Sequence, residues 1–167
     1  EMRRYSTYTK NYGKNRLYKI AGGPNADDYD WMETLMKNGN PGSSFQGVSL
    51  HYYTICHNWR NKGSAIQFDE NEYITTLNKT LHMNEVLEKH IGIMDKYDPN
   101  NRVSLVVDEW GNWFDVEPGT NPGFLYQQNT LRDAMVASLN LDIFNKNARR
   151  VKMANIAQTV NVLQAMI

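Results

Sequence analysis

Asp108 and Glu109 stand side by side at the end of an apolar run, Val103-Ser104-Leu105-Val106-Val107, and Trp110 and Trp113 follow closely. Paired carboxylates can act as acid, base or nucleophile. Flat aromatic rings beside a carboxylate suit a sugar, whose C–H faces stack on rings while its hydroxyls bond polar groups. Neighbouring side chains on a strand point to opposite faces. One carboxylate is therefore expected to enter the site and the other to point away. The bland alternative is a solvated strand end that caps the next loop.

His51 and Tyr53 alternate with Tyr52, so they share one face of their own strand. From there they can hydrogen-bond a carboxylate or a substrate hydroxyl. A buried histidine satisfied by backbone is the competing reading. Cys56 and His57 follow closely and raise the question of a metal. The spacing is irregular and the chain has a single cysteine, so no metal site is expected. Neither a dinucleotide-binding nor a P-loop glycine pattern occurs, and no serine sits in a G-x-S-x-G elbow.

The elements that must position these residues follow from hydrophobic spacing. Residues 1–12 read as a helix closed by Gly13, and 16–21 as a short strand ended by Gly22-Gly23-Pro24-Asn25. Residues 26–38 read as a helix, 45–53 as a strand and 70–97 as the longest helix, with Asp69 and Glu72 placed as a capping box. Its expected stripe is Ile74, Leu77, Leu81, Val86, Leu87, Ile91 and Met94. Residues 103–108 form a β-branched strand. Residues 128–146 read as a helix with Leu131, Ala134, Met135, Ser138 and Leu139 inward. Residues 150–167 are ambiguous between a short helix plus strand and one continuous helix.

Strands alternating with helices imply an α/β fold with parallel pairing and right-handed crossovers. A doubly wound open sheet competes with part of a (β/α)8 barrel. A complete barrel needs about 250 residues, and the chain has 167, so only about half a barrel fits. In both architectures catalytic groups gather at the carboxyl ends of the strands, where 22–25, 51–53 and 108–114 lie.

Lys plus Arg number 18 and Asp plus Glu number 18, for zero net charge. That balance argues against a nucleic-acid partner, and the absence of a long apolar run argues against a membrane span. The first residue is Glu1 and no signal-peptide pattern follows, while the last residues, 160–167, are apolar. The expectation is a piece of a longer protein, in the cytoplasm rather than secreted.

Beyond these residue-level readings, the sequence resembles the α-L-arabinofuranosidases of glycoside hydrolase family 51. The matching stretches include Leu17-Tyr18-Lys19-Ile20-Ala21-Gly22-Gly23-Pro24-Asn25, Ser49-Leu50-His51-Tyr52-Tyr53, Lys62-Gly63-Ser64-Ala65 and Val107-Asp108-Glu109-Trp110-Gly111-Asn112-Trp113. Asn155-Ile156-Ala157-Gln158-Thr159-Val160-Asn161-Val162 completes the set. The resemblance implies a catalytic barrel followed by a β-sandwich, acting on terminal arabinofuranosyl groups of arabinan or arabinoxylan saccharides with retention. It implies Glu109 as nucleophile, with His51, Tyr53 and Gln158 at the sugar. The flanking aromatics Trp110 and Trp113 join that substrate-binding set. It implies no cofactor, and a homo-oligomer in the full-length form. The family's acid/base glutamate lies in an Asn-Glu segment after the fourth strand, which has no match here. The chain then corresponds to the second half of the barrel, about its fifth to eighth strands. Another barrel glycosidase, or a non-catalytic carbohydrate-binding fragment, is the alternative.

Overall fold

Four short parallel strands carry the apolar runs, and a computed structural model describes residues 1–166 of the chain. The order is α1 (Met2–Ser6), β1 (Ile20–Ala21), α2 (Tyr29–Asn38), β2 (Gly47–Thr54), α3 (Glu70–Tyr97), β3 (Ser104–Asn112), α4 (Leu131–Lys146) and β4 (Val151–Ile156). The sheet order is β1-β2-β3-β4, and every pairing is parallel. Successive strands are thus neighbours joined through a helix, the βαβ arrangement expected from the alternation. Ile167 of the apolar end lies outside the described residues.

Several boundaries differ from those read in the sequence. The first helix is five residues long, not twelve, because its tyrosines Tyr5, Tyr8 and Tyr12 are exposed and have no core to bury in. The third strand runs on through Asp108-Glu109-Trp110-Gly111-Asn112. Residues 151–156 are strand and 157–166 are irregular, so neither a continuous helix nor a helix followed by a strand forms there. α3 occupies the expected residues, and its capping box is present: Glu72 N donates to Asp69 Oδ1 at 2.8 Å and Asp69 N to Glu72 Oε2 at 3.1 Å. A second box at Thr130 and Asp133 starts α4 three residues later than expected.

The core lies between the sheet and the helices. Val48, Leu50, Leu105 and Val107 from the strands meet Met32, Met36, Met83, Val86, Leu87, Met94, Ile143 and Phe144 from the helices. The first half of the α3 stripe is rotated: Thr76, Thr80 and Met83 are buried, while Ile74 and Leu81 are exposed. Threonine tolerates burial here because its hydroxyl bonds a helix carbonyl, Thr76 to Glu72 O at 2.7 Å and Thr80 to Thr76 O at 2.9 Å. On α4 the expected inward face is also wrong. Leu131, Ala134, Met135 and Ser138 are exposed, and Arg132, Asp133, Val136, Asn140, Ile143 and Phe144 are buried.

One polar cluster fastens the amino ends of the strands. Arg150, fully buried just before β4, donates to Asp98 Oδ2 at 2.9 Å, to Val103 O at 2.8 Å and to Asp95 Oδ1 at 2.8 Å. Burial works against the charge on Asp98. The Arg150 bonds, the Val103 amide and Arg102 outweigh it and hold the carboxyl below its usual range. Arg149 and Arg150 hold Asp95 low as well.

Breaking such a pair from one side strands a buried charge. Arg150→Met is expected to lower stability to chemical denaturation by about 3–5 kcal/mol. Both carboxyls are depressed, so their contribution is present above the unfolded value near about 3.9 and is lost as pH falls below it. In wild-type protein the denaturation midpoint should drop as pH falls below about 4. In Arg150→Met that acid-dependent drop should be smaller.

Candidate active site

The residues singled out in the sequence meet where β2 lies beside β3. On β2, Val48 and Leu50 enter the core, and Tyr52 leans toward the helices, its hydroxyl donating to Lys79 O at 2.6 Å. Ser49, His51 and Tyr53 therefore face the other side of the sheet. The pairing register shifts between Leu50 and His51: Leu50 pairs with Val107 but His51 pairs with Glu109. Asp108 is the extra residue of a β-bulge, and a bulge re-aims the side chains that follow it.

The bulge overturns the expected placing of Asp108. It does not point away from Glu109; His51 stands between the two carboxylates. Nε2 of His51 is 3.3 Å from Asp108 Oδ1, and Nδ1 is 3.6 Å from Glu109 Oε2. Tyr53 donates its phenol proton to Glu109 Oε2 at 3.0 Å. Burial, then the bond to Glu109 and its negative charge, push the Tyr53 phenol well above its usual pKa. Glu109 is about half exposed, at 47% of its side chain, so it is reachable by a solute.

After the bulge the alternation resumes, which decides the two tryptophans. Trp110 turns to the helix side, only 3% exposed, with its ring edge-on to Phe144 at 5.1 Å. The expected substrate-binding role of Trp110 is therefore corrected: it is a core residue. Trp113 lies past the strand end with its ring edge-on to Tyr53 at 5.0 Å, beside the carboxylate. Gln158 follows β4 at the same end of the sheet. It is exposed, and its main chain is held by Gln158 N to Val162 O and Met166 N to Gln158 O, both at 3.1 Å.

Three neighbours were not expected from the sequence. Trp59, 58% exposed, stands edge-on to Trp113 at 5.5 Å. Arg132 is buried with its guanidinium between Phe68 and Phe114, at 3.7 and 4.0 Å from the ring centres, and donates to Ser64 O and Ala65 O. It ties the loop after β2 to the segment after β3. Gln164, also buried, accepts from Asn112 N at 2.7 Å and donates to Asp133 O at 2.7 Å. Gly111 faces that amide with φ +132°, and a Cβ there would lie 3.0 Å from Gln164 Oε1, so glycine is required. The Thr130-x-x-Asp133 box was the one readable signal here.

Cys56, His57 and Glu72 bring their ligand atoms within 4.8 Å of one another. His57 Nε2 is already bonded to Glu72 Oε1 at 2.7 Å, and Cys56 Sγ donates to Glu72 O at 3.6 Å. No described helix is long and apolar enough to cross a membrane.

The geometry is that of a carboxylate fixed by a phenol and flanked by an imidazole and aromatic rings, at the carboxyl end of parallel strands. Comparison with known proteins points to one family. An intracellular exo-α-L-arabinofuranosidase of Bacteroides ovatus is 56% identical over 165 residues, covering 99% of this chain and 32% of that protein. The resemblance to glycoside hydrolase family 51 holds over nearly the whole chain. The crystal structure of a family 51 arabinofuranosidase from Xanthomonas axonopodis pv. citri superposes with a TM-score of 0.96 at 56% identity, over 99% of this chain and 33% of that one. A family 51 α-L-arabinofuranosidase from Bifidobacterium longum shares the fold, with a TM-score of 0.66 at 21% identity over 87% of this chain. The chain thus spans about a third of the length of these relatives. Residues 108–167 match the family model described as the α-L-arabinofuranosidase C-terminal domain. That match begins inside β3, so its first residues share a strand with the segment before them.

The raised Tyr53 phenol gives a direct test of this geometry. Free tyrosine ionises near about pH 10. In ultraviolet difference titration, Tyr53 should stay protonated well past that pH. Glu109→Gln removes the charge and should bring its ionisation down toward the usual value, burial keeping part of the shift. An unchanged titration would separate Tyr53 from Glu109.

Proposed function

We propose that this chain supplies the nucleophile side of a retaining glycoside hydrolase that removes terminal, non-reducing α-L-arabinofuranosyl groups from arabinan- or arabinoxylan-type saccharides. The observation that carries the reading is the Tyr53 phenol bonded to Glu109 at 3.0 Å. The 56% identity to an exo-α-L-arabinofuranosidase supports the choice of sugar. Glu109 attacks the anomeric carbon as the glycosidic C–O bond breaks. The leaving oxygen takes a proton from a second carboxyl group about 5–5.5 Å away. Water, deprotonated by that same group, then releases the sugar. Tyr53 and His51 hold the carboxylate of Glu109 in place and meet the sugar hydroxyls, Trp113 offers a ring, and Gln158 belongs to the same reading.

The second carboxyl group comes, in this reading, from outside the 167 residues. The chain is then the second half of a (β/α)8 barrel, with a first half-barrel and a β-sandwich in the rest of the protein. Helices cover one face of the sheet only, whereas parallel sheets occur with both faces covered. On the other face Ile20 and Met153 are exposed, at 39% and 45%. A closed barrel would bury that face.

In a protein carrying this chain within a complete barrel, Glu109→Ala should abolish turnover of an activated arabinofuranoside. Added azide should then restore release of the leaving group, forming a glycosyl azide of inverted configuration. Asp108→Asn should lower activity without azide rescue. Tyr53→Phe removes a hydrogen bond to a charged group, worth about 1.5–3 kcal/mol, and should lower kcat/KM roughly ten- to a hundredfold. Wild-type turnover in Glu109→Ala, or rescue that follows Asp108, sinks the assignment.

A further inference from the structure

Past the end of β2, Cys56 and His57 turn back against the first turn of α3, which carries Glu72. The sulfur, an imidazole nitrogen and a carboxylate oxygen of these three residues all lie within 4.8 Å of one another. None of them belongs to the group formed by His51, Tyr53 and Glu109. The spacing of Cys56 and His57 alone gives no reason to expect a metal. The third donor, Glu72, is 15 residues from His57, and only the fold delivers it.

Each side chain is held from outside the cluster. Glu72 Oε2 accepts from Asp69 N at 3.1 Å in the capping box, which leaves Oε1 beside His57 Nε2 at 2.7 Å. Lys79 Nζ donates to His57 O at 2.8 Å and fixes the backbone that carries the ring. Cys56 Sγ lies 3.6 Å from Glu72 O, against the same helical turn. Outer contacts of this kind orient metal ligands and strengthen binding. A Cβ on Gly63 would lie 3.5 Å from His57 Nε2 and 3.7 Å from Glu72 Oε1. The φ of +86° there favours glycine, which puts no side chain of its own beside the two donor atoms.

The donor set selects the ion. Thiolate, imidazole and carboxylate are zinc ligands, whereas magnesium and calcium prefer oxygen alone. Thiolate and carboxylate together balance two positive charges. The Arg132 guanidinium interacts with both Cys56 and Glu72, and is a neighbouring cation that the two anionic ligands must outweigh. Zinc bonds nitrogen and oxygen at about 2.0–2.2 Å, so Nε2 and Oε1 must part to about 3.3 Å to take tetrahedral places. A carboxylate torsion supplies that shift. Cys56 is buried, but the His57 and Glu72 side chains are 38% and 28% exposed, which gives water access to a fourth position.

We infer that Cys56, His57 and Glu72 form a binding site for a single zinc-type divalent ion, with water as the fourth ligand. The hydrogen bond between Nε2 and Oε1 gives way to a bond from each atom to the metal. The imidazole then carries its proton on Nδ1, and the thiol proton goes to solvent as the sulfur–metal bond forms. The ion ties the loop after β2 to the start of α3.

The test uses a protein carrying this chain within a complete barrel, with zinc alone as the probe, and it reads binding rather than turnover. Wild-type protein should retain about one zinc per chain after dialysis, measured by elemental analysis. Zinc, but not magnesium, should raise its thermal midpoint, because an ion that binds only the folded chain stabilises it. Cys56→Ser, His57→Gln and Glu72→Gln should each weaken zinc binding by more than about tenfold. Glutamine at 72 keeps the acceptor of the capping box. Cobalt(II) bound to wild-type protein should show a thiolate charge-transfer band in the near ultraviolet, a readout that needs no variant, and Cys56→Ser should lose it. Wild-type protein that holds no zinc overturns the inference, as does a cobalt spectrum without the thiolate band. Zinc held equally by wild type and Cys56→Ser, as it would be at His51, Asp108 and Glu109, overturns it too.

Discussion

One extra residue in β3 organises the site. Without the bulge opposite His51, strict alternation would send Asp108 and Glu109 to opposite faces. With it, both carboxylates lie on the His51 side, and Trp110 is returned to the core at the next position. The same shift brings Glu109 level with His51 in the ladder, which puts Tyr53, two residues further along β2, in hydrogen-bonding reach. The contact between an aromatic hydroxyl and a carboxylate thus depends on a backbone register.

Two buried guanidinium groups hold the ends of this arrangement for different purposes. Arg150 joins the end of α3 to the starts of β3 and β4 with charged partners, Asp95 and Asp98. Arg132 sits at the opposite end. It has rings on either side and gives its hydrogen bonds to the carbonyls of Ser64 and Ala65. Burial lowers the pKa of Arg132 while Asp133, Cys56 and Glu72 work against that fall. A planar, weakly hydrated cation suits such a slot, and lysine does not replace it. Arg150 fixes the stability end of the sheet. Arg132 fixes the loops that carry Trp59 and Trp113.

The local chemistry of the chain was legible in the sequence where it depends on nearby residues. The Asp69 and Glu72 box sets the start of α3 because a cap needs only residues three apart. The βαβα order follows from alternating periodicities, and it gave the parallel sheet. Tyr52 outward and Tyr53 inward follow from strand geometry alone. His51, Tyr53 and the Asp108–Glu109 pair could be picked out from their places at strand ends. Trp113 could be picked out as well, being polar-tipped and aromatic where an apolar run should end.

Tertiary structure alone decided the rest. A bulge is a mismatch between two strands, so residues 103–112 cannot announce it without β2 beside them. That is why Asp108 was expected to point away from Glu109. The inward faces of α3 and α4 were misread for a related reason. Apolar residues such as Leu131 and Ile74 are left exposed, while threonines and Arg132 are buried with their polar groups satisfied by partners far away in sequence. Trp59 lies in a loop, and only folding sets its ring against Trp113. What the sequence determined was the type and order of elements, since these rest on interactions a few residues apart. Which groups touch was decided by register and packing, since these rest on contacts between residues 26 to 68 positions apart.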